Sequence, residues 1–225
     1  TPSSRKRRSR RRTTSNSSSV ARESPARRGF LVGRAEGPGS GQQERPQVLQ
    51  SAINLSEGRD PQLLERVRAC LEKIPGACLA DLSMDPDNHR MVASLLGSPG
   101  ALREAVLRLF ELADQSIDLR RHSGVHPRVG AIDVVPFVAL GTSPPQVAIE
   151  LAAEVAEAVA NRFEVPVILY ELSARRPENV ALPVLRRGGL EGAARRLQDI
   201  PPDFGPARLH PRLGLTVMGA RPALV

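Results

Sequence analysis

Cysteine is scarce in this chain, and long apolar runs are missing. The two cysteines, Cys70 and Cys78, form neither a metal-ligand spacing nor a disulfide framework, and we expect both to be buried free thiols. No apolar run reaches the length of a membrane span, and no secretory signal peptide is visible. We therefore expect a soluble, cytoplasmic protein with no membrane contact.

Positive charge is abundant but concentrated in one segment. The net charge is +8, yet residues 1–45 hold 12 Lys/Arg against three Glu, a net +9, while the other 180 residues hold 20 basic against 21 acidic residues. Residues 1–45 are rich in Arg, Ser, Gly and Pro and have few apolar side chains. Such a segment cannot offset the entropy of ordering, so we predict a disordered basic tail. Residues 46–225 are predicted to form a single folded domain close to neutral charge.

Three roles remain open for the tail. It is a linker or a fragmentary chain start, since the sequence has no initiator methionine. Alternatively it is a nucleic-acid-binding or nuclear-targeting arm, because a basic run attracts phosphates. An organelle transit peptide is the third role, since the tail is rich in Arg and Ser and poor in acidic residues. We expect nucleic acid to bind only through this tail, if at all.

Hydrophobic periodicity alternates between strand and helix along residues 47–225. Asp60-Pro61 predicts a helix start, with Asp as N-cap and Pro in the first turn. Two longer helices are predicted over 101–119 and 146–162. The order βαββαβαβ predicts an α/β (α+β) two-layer sandwich, in which helices cover one face of a mixed β-sheet. A doubly wound parallel fold is the alternative, but the short link between the second and third strands favours an antiparallel hairpin.

Reactive side chains are densest in residues 121–133, which include two of the four histidines. His122 and His126 are four residues apart, as on a metal-binding helix face, but Gly124 and Pro127 break any helix there and no third ligand is near. We therefore predict no metal site. A histidine in a Gly-rich loop can have a pKa suited to proton transfer at neutral pH. From the residues alone, His126 is either an acid–base residue or a structural histidine.

Five collinear motifs, from about Val48 to Arg221, resemble those of the formiminotransferase N-terminal subdomain family, which includes glutamate formimidoyltransferase. The segment most similar to the family signature is Gly124-Val125-His126-Pro127-Arg128-Val129-Gly130-Ala131-Ile132-Asp133 with the following Val134–Phe137. The other four are Asn54–Gly58 (N-x-S-E-G), Asp85–Arg90 (D-P-D-H-N-R), Leu182–Gly188 (L-P-x-x-R-x-G) and the final block Pro202–Arg221.

The resemblance implies a ferredoxin-like fold and transfer of a formimino group from N-formimino-glutamate to N5 of tetrahydrofolate, a step of histidine breakdown. It implies that His126 is the catalytic residue and that tetrahydrofolate is the co-substrate. Asn54, Arg90 and Arg128 are candidates for substrate binding, because guanidinium groups bind carboxylates bidentately. The folate-contacting loop is expected to comprise Gly205, Pro206, Ala207, Arg208, Leu209, His210, Pro211, Arg212, Leu213 and Gly214.

The chain departs from the family at three points. It stops at Val225, where the family continues into a second subdomain, so we expect a homodimer or a separate chain that supplies the C-terminal subdomain. Asn88-His89 stands in place of the family's His-Asn. Residues 169–174 read Leu-Tyr-Glu-Leu-Ser-Ala where the family has L-Y-G-E-A-A. The glutamate is therefore displaced by one position, which in an extended segment would direct its side chain to the opposite side. The alternative function is therefore a non-catalytic folate-binding or interaction domain. Transfer of a formyl group from 5-formyl-tetrahydrofolate to glutamate is an enzymatic variant with the same chemistry.

Overall fold

The computed structural model describes residues 46–122, 125 and 127–223. The predicted tail, residues 1–45, lies outside the described residues, and so does His126. The expectations for the tail and for the position of the His126 side chain therefore stay predictions.

Six strands and five α-helices form in the described part of the chain. Asp60 caps the first helix as predicted, because its Oδ1 accepts from the backbone N–H groups of Gln62 and Leu63 at 2.9 and 3.1 Å. The strands are β1 (Leu49–Leu55), β2 (Ala77–Asp85), β3 (Arg90–Gly97), β4 (Ile132–Ala139), β5 (Val167–Leu169) and β6 (Thr216–Arg221). The helices are α1 (Pro61–Leu71), α2 (Pro99–Ser116), α3 (Pro145–Phe163), α4 (Leu182–Leu185) and α5 (Gly189–Asp199).

The strands form one mixed sheet in the order β2-β3-β1-β4-β6-β5. Neighbours among β2, β3, β1 and β4 are antiparallel, whereas β4, β6 and β5 run parallel. The first six elements, β1-α1-β2-β3-α2-β4, have the connectivity and strand order of the predicted ferredoxin-like fold. The mixed sheet and the antiparallel β2–β3 hairpin are confirmed.

The helices α1, α2 and α3 pack on one face of this sheet. Alternate residues of β1 (Leu49, Ile53 and Leu55) and of β4 (Val135 and Phe137) are buried in this core. The alternation in β1 is what a strand with one covered face requires, whereas β4 is buried continuously from Ile132 to Phe137 because both of its faces are covered there. The two-layer α/β sandwich predicted from the sequence is therefore confirmed.

The short helices α4 and α5 lie on the second face, at its β4-β6-β5 end. Val134, Ile168 and Val217 form a second buried cluster there with Ala193 and Leu197 of α5. Further along this face the side chains of β1, β3 and the end of β4 stay partly exposed. We call this part the open face; its residues are Gln50, Ala52, Asn54, Val92, Ser94, Leu96 and Val138.

The two cysteines differ in exposure. Cys70 is half-buried on α1, where burial raises the pKa of its thiol. Cys78 is exposed, so the expectation that it is buried was wrong. The physical reason is that Cys78 is paired with Leu96 in the β2–β3 register and so lies on the sheet face that α1, α2 and α3 do not cover. Among the described helices, none has the length and apolarity of a membrane span.

Strand directions bring several loops to one edge of the sheet. β1 is antiparallel to β3 and β4, and β4, β5 and β6 are parallel to one another. The C-terminal end of β1 therefore lies at the same edge as the N-terminal ends of β3, β4, β5 and β6. We call this region the loop edge; it comprises residues 56–60, 86–89, 117–122, 127–131 and 203–215.

Candidate functional site

Backbone hydrogen bonds join three of the sequence motifs at the loop edge. Ser56, from the first motif, donates through Oγ to the carbonyl of Gly130 at 2.7 Å and through its backbone N–H to the carbonyl of Ala131 at 2.8 Å. The N–H of Ala131 donates in turn to the carbonyl of Leu213, in the final motif, at 2.8 Å. The segment that carries the signature is thus fixed on both sides.

The turn between β2 and β3 is held by its own side chains. Asp85 Oδ1 accepts from the N–H groups of Asp87 and Asn88, both at 3.0 Å, and Oδ2 accepts from the Asn88 amide at 2.6 Å. The bonds from Asn88 hold the pKa of Asp85 below its usual value. His89 follows with φ of 49°, a left-handed conformation that histidine adopts more readily than most residues.

The first motif interlocks with this turn at Gly58. A Cβ placed on Gly58 would lie 2.2 Å from the backbone N of Arg90 and 2.3 Å from the carbonyl O of Asp85. Both of these neighbours are backbone atoms, which cannot move aside as a flexible side chain can. The glycine of N-x-S-E-G is therefore required for two loops to meet.

Two imidazoles stack next to this contact. The rings of His89 and His122 have centroids 3.8 Å apart and planes inclined by 19°. His89 Nε2 donates to Glu57 Oε1 at 2.9 Å, and the same oxygen accepts from the N–H groups of residues 58–60. Burial, with smaller contributions from Arg128 and His89, lowers the pKa of His122 to about 4. His122 is therefore neutral at pH 7.

Arg128 is buried among these groups, with 8% of its surface exposed. Its guanidinium donates to the carbonyls of Asn88 and His89, both at 3.1 Å, and lies against the ring of His122, where Nδ1, 2.8 Å away, can accept from it. Burial lowers the pKa of Arg128 from its usual value. The expected substrate-binding guanidinium is thus directed into the protein and joins the signature segment to the β2–β3 turn.

A buried ion pair holds the other end of the signature segment. Asp133, 2% exposed, accepts from the N–H of Val129 at 2.8 Å through Oδ1 and pairs with Arg186 through Oδ2. Sequence reasoning assigned neither residue a role. The available signals were an acidic residue at the start of the apolar segment 132–137 and the arginine of L-P-x-x-R-x-G, but the two residues are 53 positions apart and nothing in the sequence gave a reason to pair them.

Asn54 and Arg90 lie together on the open face, next to the loop edge. Asn54 is the partner of Val92 in the β1–β3 register, and Arg90 is two residues before Val92 on the same side of the strand. Both are half-buried. The Asn54 amide donates to the carbonyl of Ala52 at 3.2 Å. The structure therefore brings these two substrate-binding candidates together, on a different side from the inward-directed Arg128.

The predicted folate loop, residues 205–214, also belongs to the loop edge. His210 and Gly214 exchange backbone hydrogen bonds at 2.9 Å, and His210 Nδ1 accepts from the N–H of Leu213 at 2.9 Å. Burial lowers the pKa of His210. Together with the end of α3 the loop surrounds a concavity of about 500 Å³, lined by Ala160, Glu164, Pro206, Arg208, Leu209, His210 and Pro211.

Backbone conformation and close packing explain why glycine occupies both ends of this loop. Gly205 and Gly214 have φ of 85° and 72°. A Cβ on Gly214 would lie 2.4 Å from the carbonyl O of Val129, and one on Gly205 would lie 2.9 Å from that of Val165. Turn formation and close packing therefore account for both glycines without a ligand.

The displaced carboxylate, Glu171, is far from this site in the topology. It follows β5 at the C-terminal end of the parallel strands, on the sheet edge opposite the loop edge. Its φ is 53°, so the backbone there is not extended and the expected reversal of direction does not apply. Glu171 pairs with Arg221 at 3.7 Å.

The residues on either side of His126 are at the surface. Val125 is 88% exposed, and Pro127 is exposed and lines a cavity of about 420 Å³. The other lining residues are Leu182, Pro183, Arg186, Arg187 and Gly188. Within the described ranges, no three His, Cys, Asp or Glu side chains are grouped as metal ligands.

Comparisons with known proteins agree with the motifs. A family model described as the formiminotransferase domain, N-terminal subdomain, matches residues 48–221. Glutamate formimidoyltransferase of Streptococcus pyogenes serotype M1 is 37% identical over 180 residues, which are 79% of this chain and 60% of the relative. Formimidoyltransferase-cyclodeaminase of Rattus norvegicus is 33% identical over 181 residues, 80% of this chain and 34% of the relative. Glutamate formimidoyltransferase of Thermoplasma acidophilum is 31% identical, with 79% of this chain and 60% of the relative covered.

Proposed function

This chain belongs to the formiminotransferase family, as its N-terminal subdomain, and on that premise we propose that it moves a formimino group between N-formimino-glutamate and N5 of tetrahydrofolate. The chain spans about 60% of the length of the glutamate formimidoyltransferases that it matches and about a third of the bifunctional relatives. Its substrates and its activity are therefore part of the proposal.

The observation that carries the proposal is the convergence of all five motifs on residues 128–133. The first motif contacts this segment through Ser56, the β2–β3 turn through Arg128, the fourth motif through Arg186 and the final block through Leu213. Motifs that serve separate structural purposes have no need to meet at one edge of a sheet. Their meeting supports one site beside His126.

The chemistry requires one group that accepts and then returns a proton. Attack of folate N5 on the amidine carbon gives a tetrahedral adduct, after which N5 loses a proton and the departing glutamate amine gains one. One imidazole can perform both transfers in sequence. We assign this role to His126, whose neighbours Val125 and Pro127 are exposed.

Both substrates carry carboxylates, which need cationic or amide partners. We assign the glutamate derivative to Arg90 and Asn54 on the open face, and tetrahydrofolate, as co-substrate, to the loop 205–214. The concavity beside this loop includes Arg208, a cation that can hold a folate carboxylate. Formyl transfer from 5-formyl-tetrahydrofolate uses the same groups, so a donor competition experiment distinguishes the two reactions.

The direct test is titration of the purified chain with tetrahydrofolate and N-formimino-glutamate, with the 5-formimino product followed by absorbance. We expect product formation that saturates in both substrates. Folate binding without product would instead support the second function, a non-catalytic folate-binding or interaction domain. The Asn88-His89 exchange favours that alternative. The absence of any binding would reject both.

A second subdomain is the partner that this fold suggests. The open face ends in a groove of about 310 Å³ whose lining includes Gln50, Ala52, Val138 and Leu140, and exposed apolar patches commonly mark interfaces. We propose that it packs against a second copy of this chain or against a separate chain that supplies the C-terminal subdomain. We expect sedimentation as a dimer that Val138→Arg converts to monomer, with Gln146→Arg on α3 as the control. A monomeric wild-type chain would exclude the homodimer.

The location and the tail remain separate predictions. We propose a cytoplasmic enzyme whose nucleic-acid affinity, if any, resides in residues 1–45. Deletion of this segment should abolish binding to a duplex DNA probe. Retained binding would contradict the near-neutral charge balance of residues 46–225.

A further inference from the structure

Arg128 links two loops that are far apart in sequence. Its Nη2 donates to the carbonyl of Asn88 and its Nη1 to that of His89, 40 and 39 residues away, while Nη1 also contacts the ring of His122. A guanidinium is planar and carries its donors in a fixed fork, so contacts to three groups define its position and that of its own backbone. Arg128 is separated from His126 by one residue.

The same segment has a second anchor at its other end. Asp133 holds the N–H of Val129 and is itself held by Arg186. The backbone from residue 127 to 133 is therefore fixed between the β2–β3 turn and the α4–α5 region.

The stacked imidazoles support the acceptors of Arg128. Glu57 bonds His89, His89 stacks on His122, and His122 accepts from Arg128. A neutral His122 has a lone pair for this bond, whereas a protonated ring would present only donors to a cation. The exchange of His and Asn in the turn places an imidazole at position 89, where the stack requires one.

We propose that Arg128 is a positioning residue that fixes residues 127–133, the segment that directly follows His126 in the sequence, against the β2–β3 turn, with Glu57, His89 and His122 as its support. It acts through the loop and does not bind the substrate carboxylates. The inference rests on the proposed function for the role of His126, but the anchoring of the loop is independent of any reaction.

Arg128→Lys tests the proposal, because lysine keeps the positive charge but lacks the planar guanidinium with its fixed set of N–H donors. The first readout is amide hydrogen exchange at Val129, Ala131 and the β2–β3 turn, which needs no activity. We expect Arg128→Lys and Arg128→Met both to accelerate exchange there by about tenfold or more. The matched control is Arg66→Met, which removes a guanidinium that also donates two hydrogen bonds but lies on the exposed side of α1. It should leave exchange at the loop edge unchanged.

The second readout separates positioning from substrate binding. We expect kcat of Arg128→Lys to fall by about tenfold or more, with the Kd for N-formimino-glutamate changed less than about threefold. Wild-type exchange in Arg128→Lys, or a large rise in Kd with kcat unchanged, would overturn the proposal. If the wild-type chain shows no turnover, the proposed function fails, and the exchange experiment still decides the anchoring. If Arg128→Met does not fold, Arg128→Lys and His89→Asn decide it; His89→Asn removes the stack and should also accelerate exchange at Val129.

Discussion

The ring of His89 lies on the ring of His122, with centroids 3.8 Å apart. This contact joins the β2–β3 hairpin to the end of the segment that follows α2. Glu57 accepts from Nε2 of His89, and Arg128 donates to the ring of His122 and to the backbone carbonyl of His89. A group of ionisable side chains thus supports the loop that carries the proposed catalytic residue. The protonation state of these side chains affects both the stability of the fold and the arrangement of the site.

The half-buried imidazole of His122 should make stability depend on pH. The pKa of His122 is lowered from 6.5 to about 4 in the folded protein, so between these values the unfolded chain binds a proton that the folded protein does not. The contribution of neutral His122 is fully present above pH 6.5 and is lost as the pH falls toward 4. We expect the urea midpoint to decrease over this window.

His122→Gln serves as the comparison for this effect, because glutamine keeps an acceptor for Arg128 and does not titrate. Glu57, His89 and Arg128 remain in the variant, so its own pH dependence reports on them. A smaller slope between pH 6.5 and 4 is expected for the variant. An identical slope in the two proteins would show that His122 does not cause the dependence.

Gly214→Ala should destabilise the protein strongly. The backbone at Gly214 has φ of 72°, and the added Cβ would lie 2.4 Å from the carbonyl O of Val129. Strain of this kind costs on the order of 1–3 kcal/mol, and the clash adds to it. Urea unfolding measures the loss. Gly100→Ala in α2 is the control, because a Cβ there meets nothing within 4 Å and alanine favours the helix by roughly 0.5–1 kcal/mol. Equal effects at the two positions would contradict the packing described for the loop edge.

Asp133→Asn isolates the buried ion pair. Asparagine can still accept from the N–H of Val129, but it leaves the charge of Arg186 without its carboxylate. Removal of one partner of a buried pair costs roughly 3–5 kcal/mol. The exposed pair of Arg103 and Glu154 gives the comparison, since Glu154→Gln should cost about 0–1 kcal/mol. Chemical denaturation of both variants checks this, and a loss in Asp133→Asn as small as in Glu154→Gln would mean that the pair is dispensable.

Local patterns in the sequence were sufficient for most elements of the fold. The Asp60-Pro61 helix start and the buried stripe of α2 at Leu102, Val106 and Leu109 follow from side-chain chemistry within a few residues. The predicted helix over 101–119 ends three residues early, at Ser116, because Ile117 leaves the helical conformation while staying buried. Hydrophobic periodicity does not distinguish a buried residue inside a helix from a buried residue just beyond its end.

Long-range pairing and side-chain direction could not be predicted from the sequence. The motifs identified the region of the site, but they did not show that Arg128 is directed inward or that Asp133 pairs with Arg186. Cys78 was expected to be buried because the strand register, which places it opposite Leu96 on the uncovered face, is not visible in a local pattern. Gly214 was expected in the folate-contacting loop, but its close approach to the carbonyl O of Val129 was not visible in the sequence.

Comparison of the wild-type chain with His126→Ala, each with tetrahydrofolate and N-formimino-glutamate, tests the central claim most directly. Turnover is followed by the absorbance of the 5-formimino product and folate affinity by calorimetry. We expect the variant to lose turnover by about a hundredfold or more, the range expected for a general acid–base residue, while its Kd for folate stays unchanged. Wild-type turnover that persists in His126→Ala would contradict the assignment of His126 as the acid–base residue.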